Sequence, residues 1–320
     1  MQRLSRTDAR AYDMVVHEAK LRIALSERFA VETEDAENGL IRTEADLPIY
    51  ETLGATMTDG RSNPCAGPIY VDGVRAGDVL AVTIHDIIVD DQGFTYLTPQ
   101  FGPLSDSATY PDCRGPYTKI IRHIPGPSGT TSDGVAVLDD HFSWMLQPHI
   151  GTIGTAPARV ASAGADTLYG QGPHGGNVDC RDVCPGHTVL LPVAVDGAYL
   201  YLGDVHGSQA DTEFYGLADE TRAEVTLSCE VIPQKSIPAV RIDTPERIIQ
   251  LYSYRPLEDA VRQAFLWMLE WLVQDYGFSP RDAYLHLGVN PEVRVHVYQM
   301  TKIGRLNYTV GVSFPKHHLS

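Results

Sequence analysis

Two islands of polar residues flank a single apolar run between Gly175 and Glu213. Asn177, Asp179 and Asp182 stand before it, and Asp204, His206, Gln209, Asp211 and Glu213 stand after it. Carboxylates and an imidazole brought to one place suit a hard or borderline divalent cation. Oxygen and nitrogen ligands complement Zn²⁺, Ca²⁺ or Mn²⁺, and the cation offsets the mutual repulsion of Asp179, Asp204, Asp211 and Glu213. The same residues also describe a pair of solvated loops rich in turn-forming Asp, Asn and Gly, and composition alone leaves both readings open.

The cation reading requires the islands to converge. The runs "HTVLLPVAV" and "AYLYLGDV", separated by the turn signal Asp196-Gly197, predict a hairpin. Its open end would gather the residues before His187 and those after Leu202. From Lys20 to Val231, short alternating or apolar runs such as "FAVETE" and "DVLAVTIHDIIV" are punctuated by Gly, Pro, Asp and Asn clusters, an all-β pattern. "IYV" and "VLAVTIHDI", with Asp72-Gly73 and Ala76-Gly77-Asp78 between them, fit successive strands of a barrel or sandwich. "IPGPSGTTSDG" reads as a surface excursion or a lid.

After Val231 the period changes. Val261, Ala264, Phe265, Met268, Trp271 and Leu272 recur at helical spacing and Gly277 follows as a stop, which predicts a helix of about five turns. Ser279 as N-cap and Pro280 at the first helical position open a short second helix through Leu287. "YTVGVSFP" closes the chain as a strand. The expected division is therefore a β-rich portion, residues 1–232, carrying most of the site, and a C-terminal α+β portion, residues 233–320.

A chain of 320 residues, 43% hydrophobic, can bury a sizeable core. No apolar run approaches the roughly 20 residues of a membrane span. A formal charge of −16 repels phosphate backbones. Neither nucleic acid nor a membrane is therefore an expected partner. The N-terminal "MQRLSRTDARAYDMVVHEAK" lacks the apolar core of a secretory signal, and a cytoplasmic location is expected. Five cysteines make an odd count that argues for reduced thiols. Cys180 and Cys184 lack the second ligand pair of a zinc ribbon and read as small fillers. Trp267 and Trp271 on adjacent helix faces point to a homodimer or higher homo-oligomer.

Five further stretches carry a resemblance. "GPIYVDGVRAGDVL", "PHIGTIGTAPA", "HGGNVDCRDV", "LPVAVDGAYLYLGDVHGSQADTE" and "DYGFSPRDAYLHLG" are similar, in order and in spacing, to the motifs of the acetamidase/formamidase family. "FAVETEDAENGLI" and "FGPLSD" resemble its early strand and turn and its FG-x-L-x-D segment, so the likeness runs from about Val31 to Pro315. It implies a mostly β fold: a jelly-roll-like sandwich, a small β-barrel and a C-terminal α+β portion. It also implies metal-assisted hydrolysis of a small linear amide to carboxylate and ammonia, with a divalent cation (zinc first, calcium or manganese as alternatives). Position by position, the implied ligands are Asp35, His149, Asp179, Asp204 and His206, and the implied base is Glu213. Asn177, Gln209, Asp211 and His174 are implied as groups that touch or support substrate. His149, alone in "PHIG", also reads as a structural histidine, and Asp204 as a residue that orients a neighbour.

The chain departs from the family pattern where "GDGE" is usual. Ala210-Asp211-Thr212-Glu213 replaces two glycines with side chains, and Phe214 and Tyr215 follow directly. Aromatics there could stack on a planar or longer substrate, or pack on the barrel. Hydrolysis of another C–N bond, in a ureide, carbamoyl or cyclic amide, is the second expectation. A non-catalytic binder of a small molecule or metal on the same scaffold is the third.

Overall fold

The computed structural model describes residues 1–8, 10–48, 62–158, 165–301 and 303–319. The fold is mostly β, built of three sheets with one curled into a half-barrel, and C-terminal helices pack against strands. The largest sheet has nine strands. From one edge these are β1 (Gln2–Leu4), β4 (Phe29–Thr33), β16 (Ala223–Ile232), β6 (Val79–Val89) and β14 (Thr188–Pro192). The order continues with β17 (Arg241–Asp243), β18 (Arg247–Tyr254), β20 (Tyr308–Pro315) and β19 (Arg294–Gln299). Strands from both sides of residue 232 thus share one sheet.

A seven-stranded sheet carries the polar islands. Its order is β12 (Gln171–Gly172), β13 (Gly175–Asn177), β11 (His149–Thr155), β15 (Leu200–His206), β5 (Cys65–Val71) and β2 (Arg10–Ala11), and β3 (Leu21–Ile23) also pairs with β5. The four-stranded sheet runs β10 (Ser143–Met145), β9 (Val135–Val137), β8 (Tyr117–Ile124) and β7 (Gln92–Leu97). The stretch read as an excursion or lid connects β8 to β9. Its Thr131 hydroxyl donates to the Val89 carbonyl at 2.6 Å.

The expected hairpin does not form. "HTVLLPVAV" supplies β14, which pairs with β6 and β17, whereas "AYLYLGDV" supplies β15, which pairs with β11 and β5 in the other sheet. The Asp196-Gly197 turn is a crossing between sheets. Periodicity identifies a strand but not its partner, and here each run pairs with strands from elsewhere in the chain. The islands still meet, because β13 and β15 flank the same strand, β11.

One buried apolar cluster draws on both large sheets. Phe29, Val31, Leu80, Val82, Val225 and Leu227 come from the first, and Ile69, Ile150, Leu200 and Leu202 from the second. Along β16 the alternation is regular: Ala223, Val225, Leu227 and Cys229 are buried and their neighbours are less so. All five cysteines are free, and Cys65, Cys180 and Cys229 are buried.

Helix α1 (Leu257–Tyr276) has the expected length, and Gly277 ends it in the left-handed conformation at φ 70°. Its inward stripe of Ala260, Ala264, Met268, Trp271 and Leu272 packs on Ile248, Val310, Val312 and Phe314. Arg241 lies over the Trp271 ring at 4.3 Å, a cation–π contact at the edge of this layer. Helix α2 (Pro280–Val289) is capped by Ser279, whose hydroxyl accepts from the Asp282 N–H. No described helix is long and apolar enough to cross a membrane.

Met268 is fully buried under α1 while Leu266 on the same helix is 47% exposed. Met268→Ala is therefore expected to destabilise the fold by about 2–5 kcal/mol, and Leu266→Ala by no more than about 0.5 kcal/mol. Urea unfolding of the two variants checks the assignment of the helix face. Equal losses would contradict it.

Candidate active site

Strand β11 is the hub of the site. His149 lies opposite His206 and Thr152 opposite both Asn177 and Gly203 in the strand register. The Gly151 carbonyl accepts from the N–H groups of Val178 and Asp179, at 3.0 and 2.9 Å, which ties the first island to the middle of the sheet. Only glycine fits at position 151, because a Cβ there would come within 2.7 Å of the Asp204 carbonyl and carboxylate oxygens.

At this point β15 breaks step. Leu200, Leu202 and Val205 all belong to the main core, so the inward row skips from 202 to 205. Asp204, between them, has φ 56°. The break aims both Asp204 and His206 away from the hydrocarbon. Asp179 and Glu213 also have left-handed backbones, with φ of 44° and 46°. Such conformations cost on the order of 1–3 kcal/mol each and persist where the surroundings over-determine them. Around Glu213 the surroundings are polar bonds to the chain after β19. Met300 N–H donates to the Thr212 carbonyl at 2.9 Å and the Thr301 hydroxyl to the Glu213 carbonyl at 3.1 Å.

The result is one imidazole among four buried carboxylates. His206 Nε2 lies 3.4 Å from Asp204 Oδ1 and 3.4 Å from Glu220 Oε2. Asp179, Asp204 and His206 form one group able to hold a cation, and His206, Glu213 and Glu220 form another. Burial pushes the Asp179 and Glu213 carboxyls well above the usual range, and the neighbouring carboxylates push the same way. Burial also raises Glu220, against the pull of His206. For Asp204, burial is outweighed by the charge and hydrogen bond of His206 and by Thr152 and Asn63, which hold it below the usual range. Burial disfavours the His206 imidazolium, but Glu220 and Asp204 outweigh it and raise the group well above its ordinary value.

The other side of His206 is held by Gln209. The Gln209 amide nitrogen donates to the carbonyls of Asp179 and Tyr298 at 2.9 and 3.0 Å, which fixes the amide's orientation. Its Oε1 therefore accepts from His206 Nδ1–H at 2.9 Å. That bond leaves Nε2 directed at the carboxylates. A second bond on the far nitrogen is the usual support of a metal-ligating histidine. His149 donates from Nδ1 to the Gln147 carbonyl at 3.0 Å, and its Nε2 faces His206 Nδ1 at 3.3 Å rather than the carboxylates. Burial, then the charge of His206, depresses His149 to about 4, so it is neutral.

The remaining expected residues fall into three places. Asn177 is one step removed: the Thr152 hydroxyl lies 2.7 Å from Asn177 Oδ1 and 3.1 Å from Asp204 Oδ2. Asp35 stands apart from the cluster. Its Oδ1 accepts from the backbone N–H groups of Glu37 and Gly39, and its Oδ2 faces Arg222 at 3.7 Å. Asp211 points outward and pairs with Arg181. His174 is buried with an Nε2 that has no partner among the described residues.

Sequence reading missed Glu220, Asn63 and Thr152. Glu220 reaches the site through isolated bridges to His206 and Phe94, and Asn63 Nδ2 donates to Asp204 Oδ2 at 3.3 Å. The signal for Glu220 was the acidic pair Asp219-Glu220 set between Leu217-Ala218 and the β16 run. Asp219 has its own partner, His123, at 3.0 Å.

The donor set fits a divalent cation on two observations. Glu220 Oε2 is buried without a hydrogen-bond partner among the described residues, and four carboxylates share a single positive side chain. Without added positive charge, the cluster must hold protons or pay a desolvation cost of several kcal/mol per ion.

Two outcomes follow from this geometry. Gly151→Ala must displace Asp204, and about 1–3 kcal/mol of stability is expected to be lost together with most of the activity. Unchanged turnover would show that the close approach is dispensable. Burial holds His174 at about 4, below the ordinary histidine value of about 6.5. A depressed histidine contributes stability in full above the unfolded value, losing it as pH falls from about 6.5 through about 4, a total of about 3 kcal/mol. His174→Gln should therefore shallow the pH dependence of the urea midpoint in that window. An identical slope would refute the assignment.

Comparison with known proteins places the chain. Residues 141–317 match the Acetamidase/Formamidase family. An acetamidase of Mycolicibacterium smegmatis is 27% identical, over 71% of this chain and 74% of that protein. The crystal structure of an acetamidase from Bacillus halodurans superposes with a TM-score of 0.84 at 30% identity, covering 99% of this chain and 98% of the other. That of an acetamidase from Yersinia enterocolitica gives 0.86 at 29% identity, covering 100% and 93%. With these matches spanning the sheets that carry the carboxylates and His206, the chain belongs to the acetamidase/formamidase family, amide hydrolases acting on non-peptide C–N bonds.

Proposed function

We propose that this amidase cleaves a linear primary amide to carboxylate and ammonium with the help of a divalent cation, zinc first, held by Asp179, Asp204 and His206 with Glu220 alongside. The observation that carries the reading is the set of buried carboxylates around one imidazole whose orientation Gln209 fixes. When bound, the cation would polarise the amide carbonyl and make water more acidic.

The chain's own groups divide the remaining work. An unactivated amide resists water because its nitrogen donates into the carbonyl, so a base must take a proton from water and an acid must protonate the departing nitrogen. Glu213 borders the inner cleft together with Asp179, Asp204 and Glu220, and it suits both tasks in turn. It ionises once positive charge offsets its neighbours. Gln209 and His149 hold His206 in register, and Thr152 relays the same service from Asn177 to Asp204. Asp35 serves the turn at Glu37–Gly39, and Asp211 tethers Arg181.

Three variants separate these roles. Asp179→Ala and His206→Ala are expected to lose most of the bound metal, measured by mass spectrometry of metals on folded protein. Glu213→Gln should keep its metal and lose about 10²- to 10⁴-fold in kcat for ammonia release. Full metal content in the first two variants, or wild-type turnover in the third, would overturn the assignment.

A further inference from the structure

Glu213 stands in the walls of two neighbouring cavities. The inner one, lined by Asp179, Asp204, Glu213 and Glu220, has a volume of about 40 Å³, and the outer one has about 420 Å³. Glu213 and Leu217 line both. An inner space of that size suits a group of a few atoms, whereas the outer lies within the roughly 300–1,000 Å³ of sites that hold larger ligands. From the outer cavity and the reasoning under Proposed function, on which this step rests, we infer that the substrate is a neutral primary amide whose acyl group carries a flat apolar ring. The ring occupies the outer cavity.

The walls are apolar and pinned. Ile121, Leu138, Trp144, Met145 and Phe214 line the cavity. Phe214 is 60% exposed, Met145 55% and Trp144 37%, so three large apolar side chains face solvent beside a candidate catalytic carboxylate. The Trp144 indole donates to the Ser208 hydroxyl at 2.8 Å, and the Tyr215 hydroxyl lies 2.7 Å from Thr95 Oγ1. These bonds hold two of the rings in place before any ligand arrives. Phe214 is turned outward by the left-handed pair Thr212 and Glu213, at φ 73° and 46°. That pair sits in the Ala210-Asp211-Thr212-Glu213 segment where the chain departs from the family pattern.

Charge defines the rest of the substrate. No lysine or arginine is among the described lining residues, and the two charged groups there are the carboxylates Glu213 and Asp219. An anionic tail would find no cationic side chain among these described residues to pair with. The reaction is R–CO–NH2 + H2O → R–COO⁻ + NH4⁺, in which the C–N bond breaks, a C–O bond forms and the protons of water pass to nitrogen. Since the nitrogen leaves as ammonia, the acyl side is the only substituent that can fill the outer cavity. Burying a phenyl ring there recovers part of the free energy lost by exposing Phe214 and Trp144 to water.

Ammonia release from acetamide and phenylacetamide by the metal-replete enzyme tests this. The kcat/KM for phenylacetamide should exceed that for acetamide by about 10-fold or more, the order expected for filling an apolar pocket. Phe214→Ala and Trp144→Ala should each move the ratio of the two kcat/KM values by about 10-fold towards acetamide, chiefly through KM. Calorimetric titration of the products, phenylacetate and acetate, supplies a readout that does not depend on turnover. Phenylacetate should bind about 10-fold tighter, and the two variants should lose that advantage. Acetamide turnover without any preference for phenylacetamide overturns the inference and leaves amide hydrolysis standing. Tight binding of phenylacetate without turnover of either amide supports the cavity assignment and overturns the proposed reaction.

Discussion

Everything at this site depends on the close approach of β11 and β15 at Gly151 and Asp204, where the alternation along β15 breaks while its register with β11 is kept. At Gly151 the two backbones approach so closely that no side chain fits, and at Asp204 the chain turns left-handed. Val205 then takes the core position that regular alternation would have given to Asp204. Without that break, a carboxylate would point into hydrocarbon at a cost no neighbouring group could offset. With it, Asp204 and His206 face Asp179, which the Gly151 carbonyl holds from the other side. One glycine on the hub strand thus joins the segments of Asp179 and Asp204, which lie 25 residues apart in the chain, and the large hydrophobic core supports the strain.

The second constraint is electrostatic. Asp219 and His123 sit nearby as an ordinary buried pair, one carboxylate with one imidazole. Around His206 the balance differs, because Asp179, Asp204, Glu213 and Glu220 share a single imidazole. Buried groups perturbed this far by burial and by like charge are a frequent mark of functional sites. The surrounding polar groups support the set directly: Gln209 holds His206, and Thr152 and Asn63 hold Asp204. A cluster of this kind stores unfavourable energy in the free protein and releases it when positive charge arrives. The apolar outer cavity imposes a different demand, since exposed rings gain most from a ligand that removes them from water.

Local signals in the chain were strong where the physics is local. The helical stripe from Val261 to Leu272, the Gly277 stop and the Ser279 cap all act within a few residues, and α1 and α2 lie where those signals put them. The strand runs were equally legible, as were Asp179, Asp204, His206 and Glu213, which the structure brings together. The pairing was not. "HTVLLPVAV" and "AYLYLGDV" carry the same alternation as a hairpin would, and nothing in either run records that each pairs in a different sheet.

What the sequence determined by itself was therefore the inventory: a mostly β chain with a helical end, and two polar islands rich in carboxylates. Tertiary structure alone decided which of those carboxylates face one another. Glu220 joined because a bridge to His206 placed it there, while Asp35 and Asp211 were taken up by a backbone turn and by Arg181. The physical reason is that side-chain type and spacing fix what a residue can do, but strand partners and left-handed kinks fix where it points. Those depend on contacts made by segments far away in the chain.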